Sequence, residues 1–113
     1  MLGIEIEERG DVSLVRLAGS VDGLTAGDLL ERLTAELARG RARLVGSLAD
    51  VEYTSSAGLR VLLAVLKDAR ARGGDLRLAA VRREVYRVLD LAGFSGILKI
   101  FDDVDAAVAS FGE

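Results

Sequence analysis

Thr54, Ser55 and Ser56 stand in a row where an apolar run, Arg43-Leu44-Val45-Gly46-Ser47-Leu48, has ended and an apolar helical run begins. Gly58 follows within the first turn of that run. Hydroxyls at such a place have two uses. A helix leaves its first backbone N–H groups without partners, and a Ser or Thr oxygen can cap them. The same free N–H groups and the positive end of the helix dipole also favour an anion, so a phosphate carried by Ser56 is well tolerated. Either use fits the residues. Gly58 has a plain reading too, close packing in the first turn.

Little else in the chain offers chemistry. There is no His and no Cys among the 113 residues, which removes the commonest general base, the commonest metal ligand and all thiolate chemistry. A serine nucleophile is left with Lys67 or Lys99 as base, and neither sits in a recognisable pairing. Gly73-Gly74 falls at a helix end, where capping accounts for it, and the acids are too dispersed for a Mg²⁺ cluster. No catalytic residue, metal ligand or cofactor is expected, and the chain is read as a non-enzyme. A formal net charge of -3 with no basic block argues against nucleic acid. The acidic, alternating start is unlike a signal peptide, and the apolar run Leu59–Leu66 is too short for a bilayer. A cytoplasmic protein without membrane insertion is expected.

The elements that must position the serines follow from periodicity. Ile4-Glu5-Ile6-Glu7 alternates as a half-buried strand, Gly10-Asp11 makes a hairpin turn, and Val12–Leu17 forms the second strand. Thr25 is a plausible N-cap for a helix whose apolar stripe is Leu29, Leu30, Leu33 and Leu37, stopped by Gly40. Arg43–Leu48 reads as a buried central strand and Ala57–Arg72 as the second helix, closed by Gly73-Gly74. A strand at Leu76–Ala80, a helix at Arg83–Leu91, a strand at Ile97–Phe101 and a short helix at Val104–Phe111 complete the chain. The expected fold is α/β, one domain over residues 1–113, with about five strands in a mixed, mainly parallel sheet and about four helices.

The segment Tyr53-Thr54-Ser55-Ser56-Ala57-Gly58-Leu59-Arg60 resembles the phosphorylation-site segment of bacterial anti-sigma factor antagonists, members of the STAS domain family. Gly19-Ser20-Val21-Asp22 is similar to the family's second-strand exit, and Val85–Phe94 to its penultimate helix and turn. Phe101-Asp102-Asp103-Val104 with Ala106-Ala107 is similar to its last helix entry. The resemblance implies a protein that binds an anti-sigma factor, itself a serine kinase, and so frees a sigma factor. Phosphorylation would break the complex and a phosphatase would restore it. Aligned on Gly58, the phosphoacceptor falls on Ser56, with Thr54, Ser55 and Asp22 around it. Ser47 stands where many relatives carry Asp, which leaves Asp22 as the main acid expected beside the serine; Asp50 and Glu52 are expected to face solvent. The other reading is a STAS scaffold without a phosphoserine switch, a subunit of a transport or signalling complex.

The second helix holds more apolar surface than one stripe needs. Leu59, Leu62, Leu63 and Leu66 are read as its core face, which turns Val61 and Val65 away from the core. With Arg60 as a basic rim, Val61 and Val65 are the expected partner-binding patch.

Overall fold

The computed structural model describes residues 1–112. The chain opens with an antiparallel hairpin of β1 (Leu2–Arg9) and β2 (Val12–Val21), turned at Gly10, whose φ of 62° suits glycine. Then follow α1 (Ala26–Ala38), β3 (Arg43–Thr54), α2 (Ser56–Ala71), β4 (Asp75–Ala79), α3 (Arg83–Leu91), β5 (Lys99–Phe101) and α4 (Val104–Ala109). The strands lie side by side in chain order, β1-β2-β3-β4-β5, and every pairing after the hairpin is parallel. This is the mixed, mainly parallel sheet that the alternation of strands and helices predicts.

The two faces of the sheet are covered unequally. On one, Val15, Leu17, Leu44, Leu48, Leu76 and Leu78 meet the buried stripes of α1, α2 and α3. On the other, Leu14, Val45 and Ala79 meet only Ala107 of α4 and the apolar residues around it. Below the sheet, the buried Glu36 carboxylate accepts from Ser13 Oγ (2.9 Å) and Arg39 (2.7 Å). Arg41 donates to the same serine oxygen at 2.7 Å, so the end of α1 is tied to the hairpin.

Several elements depart from the sequence expectation: β2 runs four residues beyond Leu17 to Val21, and four others differ as follows. β3 runs to Thr54, six residues beyond Leu48, because register shifts between Arg16/Ala18 and Gly19/Ser20 carry it onward against β2 to the pair Val21–Thr54. Such bulges destroy the alternation by which a strand is recognised. β5 is shorter than expected, because Phe94–Gly96 wind into a 3₁₀ turn. Phe94 O then takes the N–H groups of Ile97 (3.1 Å) and Leu98 (2.8 Å) out of the ladder. The last helix stops at Ala109, and Ser110–Gly112 continue as a 3₁₀ turn with Ser110 Oγ donating to Ala107 O. In α1 the core stripe is Leu29, Leu33 and Leu37, while Leu30 is 37% exposed on the outer side.

The orientation of α2 corrects the partner patch. Its buried positions are Gly58, Val61, Leu62, Val65, Leu66 and Ala69. Val65 is 0% and Val61 7% exposed, so both face the core and do not turn away from it. Leu62 and Leu66 are buried as expected, whereas Leu59 and Leu63, expected on the same core face, are only partly buried. The pivot is Gly58. A Cβ there would run into Thr54 Oγ1 and lie 2.8 Å from Val21 Cγ1, so the glycine sets the closest approach of helix to sheet and with it the helix's rotation. Of the three residues of that patch, Arg60 alone is exposed.

Candidate functional site

Ser55 ends the strand and starts the helix. Its backbone is extended (φ −99°, ψ 177°), its N–H donates to Val21 O at 2.8 Å, and its carbonyl accepts from Leu59 N–H at 3.0 Å. That places it at the N-cap, but its hydroxyl makes no capping bond. Ser55 Oγ is buried without a hydrogen-bond partner among the described residues. Thr54 is 6% exposed and points inward, with only a long 3.4 Å contact from its hydroxyl to Ser55 O. Ser56, the first residue of α2, is exposed. The hydroxyl that sequence reasoning singled out is therefore the accessible one. The capping use is taken up by none of the three.

Beneath this turn Val21, Leu29, Val51, Gly58 and Leu62 surround a void of about 10 Å³, whose polar lining is Thr54. Such a space holds one water at most and offers it few partners.

Asp22 lies next to this turn through the bond from Ser55 to Val21, but its carboxylate is engaged elsewhere. Oδ1 accepts from Leu24 N–H (2.9 Å) and Thr25 N–H (3.1 Å), closing the loop that leads into α1. The Leu24 amide, then the Thr25 amide and hydroxyl, outweigh partial desolvation and hold the Asp22 carboxyl below the usual aspartate range. Thr25 occupies the N-cap position of α1 as expected, yet its hydroxyl donates backward to Ser20 O at 2.9 Å. Asp22 thus organises the neighbouring loop more directly than it accompanies the serine.

Ser47 is buried within β3, in register with Arg16 and Ala79. Val21, the partner of Thr54, is five positions along β2 from Arg16, so Ser47 lies on the order of 15 Å down the sheet from the serine turn. An acid at that place would sit in the sheet, and having Ser there strips no carboxylate from Ser56. Asp50 and Glu52 are exposed, as expected.

Sequence reasoning missed a groove. Ala26, Gly27 and Leu30 of α1 face Ala57, Arg60 and Ala64 of α2 across a mainly apolar trough of about 360 Å³, with Val61 in its floor. Leu24, 93% exposed, stands at the entrance to α1. Small residues signal nothing when a sequence is scanned for large apolar side chains, and the trough exists because Ala and Gly occupy both its walls. Among the described residues no group of three or more His, Cys, Asp or Glu side chains could hold a metal ion, and no helix is long and apolar enough to cross a membrane.

A five-stranded sheet with one antiparallel edge and an exposed serine at the head of its second helix define a small α/β domain of mixed sheet. Residues 3–107 match the STAS domain, and the chain belongs to that family. It is 37% identical over 95 residues to BtrV of Bordetella bronchiseptica, whose name describes an anti-sigma factor antagonist; the match covers 84% of this chain and 82% of the relative. It is 31% identical over 103 residues to the anti-sigma F factor antagonist of Paenibacillus polymyxa, covering 90% of this chain and 88% of that one. Among solved structures, an anti-sigma factor antagonist from Thermotoga maritima superposes with a TM-score of 0.93 at 25% identity, over 97% and 95% of the two chains. The fold is also that of SpoIIAA in its unphosphorylated form, with a TM-score of 0.77 at 12% identity over 97% of each chain.

Proposed function

We propose that this chain is an anti-sigma factor antagonist, which binds an anti-sigma factor with serine kinase activity and thereby releases a sigma factor. Phosphorylation of Ser56 ends the complex, and a phosphatase renews it. The observation that carries the reading is the placement of Ser56: exposed, first in α2, and flanked by two hydroxyls that are turned inward. A phosphate there gains the helix's free N–H groups and brings about −1.5 to −2 charges to a surface that must close on a partner. The relatives named as antagonists at 31–37% identity support the partner class.

The test begins with incubation of the chain with its cognate kinase and ATP, followed by mapping of the modified residue by mass spectrometry. Phosphate on Ser56 is expected; phosphate on Ser55 or Thr54 with Ser56 unmodified refutes the assignment. Binding is the second measurement. Ser56→Asp should weaken the complex with the anti-sigma factor while Ser56→Ala leaves it largely intact. Equal affinity of the Asp variant and wild type would favour the scaffold without a switch.

A further inference from the structure

Ser56 and Arg60 are one turn apart on α2, and both are exposed. Residues at this spacing are neighbours on a helix surface, with Cβ atoms roughly 5–6 Å apart. Many arginines of this chain are tied up in ion pairs, Arg9, Arg41, Arg70 and Arg77 among them, whereas Arg60 makes none among the described residues. It stands instead on the rim of the α1–α2 groove, whose walls are Ala26, Gly27, Leu30, Ala57 and Ala64. An apolar trough between two helices, walled by small residues and rimmed by one unpaired guanidinium, matches an amphipathic helix of particular chemistry. That helix would set an aliphatic side chain into the trough and a carboxylate opposite Arg60.

We infer that the α1–α2 groove receives such a helix from the anti-sigma factor, with Arg60 as its electrostatic anchor, and that a phosphate on Ser56 withdraws Arg60 by pairing with it along α2. The inference rests on the reading of Ser56 as the modified residue, and it adds the site of docking and the way docking is lost. A phosphate and a guanidinium one turn apart form charge-assisted hydrogen bonds without unwinding the helix. The partner's carboxylate then meets a neutralised rim and a nearby dianion in place of a free cation. Release follows from competition for one side chain.

Two measurements test this, one of them independent of any partner. With phosphoserine incorporated at position 56, ³¹P NMR titration gives the second ionisation of the phosphate, ordinarily near pH 6. Arg60→Gln should raise it by about half a unit relative to the chain with Arg60, while the helix end contributes equally to both. Identical titrations overturn the pairing. For docking, the unphosphorylated chain is titrated calorimetrically against each purified kinase-type anti-sigma factor encoded in the same genome. Arg60→Gln and Ala64→Glu should each weaken the complex tenfold or more, and Arg60→Lys should weaken it less. Both positions are on the surface, so circular dichroism should report an unchanged fold. If Arg60→Gln and Ala64→Glu bind like wild type while Ser56→Asp does not, the groove is refuted and the switch survives. If no anti-sigma factor binds the wild-type chain, the proposed function falls and the occupant of the groove with it.

Discussion

Backbone geometry decides which residues can stand at two positions, one beside the serine turn and one at the end of β4. A Cβ at position 58 would meet Thr54 Oγ1 and come within 3.1 Å of Val21 O, and backbone gives way less readily than a side-chain end. Gly58→Ala gains roughly 1 kcal/mol of helix propensity but forces the first turn off the sheet, at a cost of about 1–3 kcal/mol. We expect a net loss of about 1 kcal/mol, read as a lower urea midpoint with an unchanged slope. The opposite case is Ala80, whose φ of 56° places an L-residue in the left-handed region at the end of β4. Its N–H bonds Phe101 O at 3.0 Å, which holds the strain in place. Relief of about 1–2 kcal/mol is partly offset by the freer unfolded chain of a glycine, about 0.5–1 kcal/mol. Ala80→Gly should therefore raise the urea midpoint; a fall would show that the left-handed backbone carries no strain here.

At the scale of elements, the loop into α1 makes a prediction about pH. The Asp22 carboxyl is held below its usual range by the Leu24 and Thr25 amides, so its contribution to stability is present above the unfolded value of about 4. That contribution is lost as pH falls through the depressed folded value. Asp22→Ala should be less stable than wild type near neutral pH, and the two should converge in acid. A difference that persists below the carboxylate range would mean that the side chain acts by packing.

The elements also mark where the sequence was readable. Strand and helix order, the Gly10 hairpin and, to within one residue, the start of α2 were legible, because each depends on residues adjacent in the chain. The rotation of α2 was not. Following the leucines puts Leu59 and Leu63 on the core face and Val61 and Val65 off it, whereas the close approach is made at Gly58, whose role is the absence of a side chain. The second half of β3 was hidden by bulges, and the α1–α2 groove by the smallness of the residues that make it. Asp22 was found, but what it bonds depends on a loop conformation that spacing does not encode.

For the whole molecule the question is how far a phosphate on Ser56 reaches. On the proposed reading the positive end of α2 and Arg60 receive it where they stand, and no element moves. Amide NMR spectra of the two forms should differ only near Ser56, Arg60 and the Val21–Asp22 turn. Shifts spread through α2 and the sheet would sink the electrostatic account and favour a change of shape.

Strands that lie in the order in which they occur have one more implication. Each new strand of this sheet is added at the edge left by the one before it, so none has to be inserted between two that are already paired. On the ribosome, where the N-terminus emerges first, the hairpin can wait for β3, and the pair β2–β3 can be sealed by α1 and α2 before β4 is made. Of the helices described, α4 is made after the other three. Until α4 arrives, Leu14, Val45 and Ala79 form an open apolar floor on the far face of the sheet. Once made, α4 closes that floor, and Asp105 pairs with Arg9 at 2.9 Å, joining α4 to the β1–β2 hairpin. The far face of the sheet is thus open to misassociation from the pairing of β2 with β3 until α4 docks.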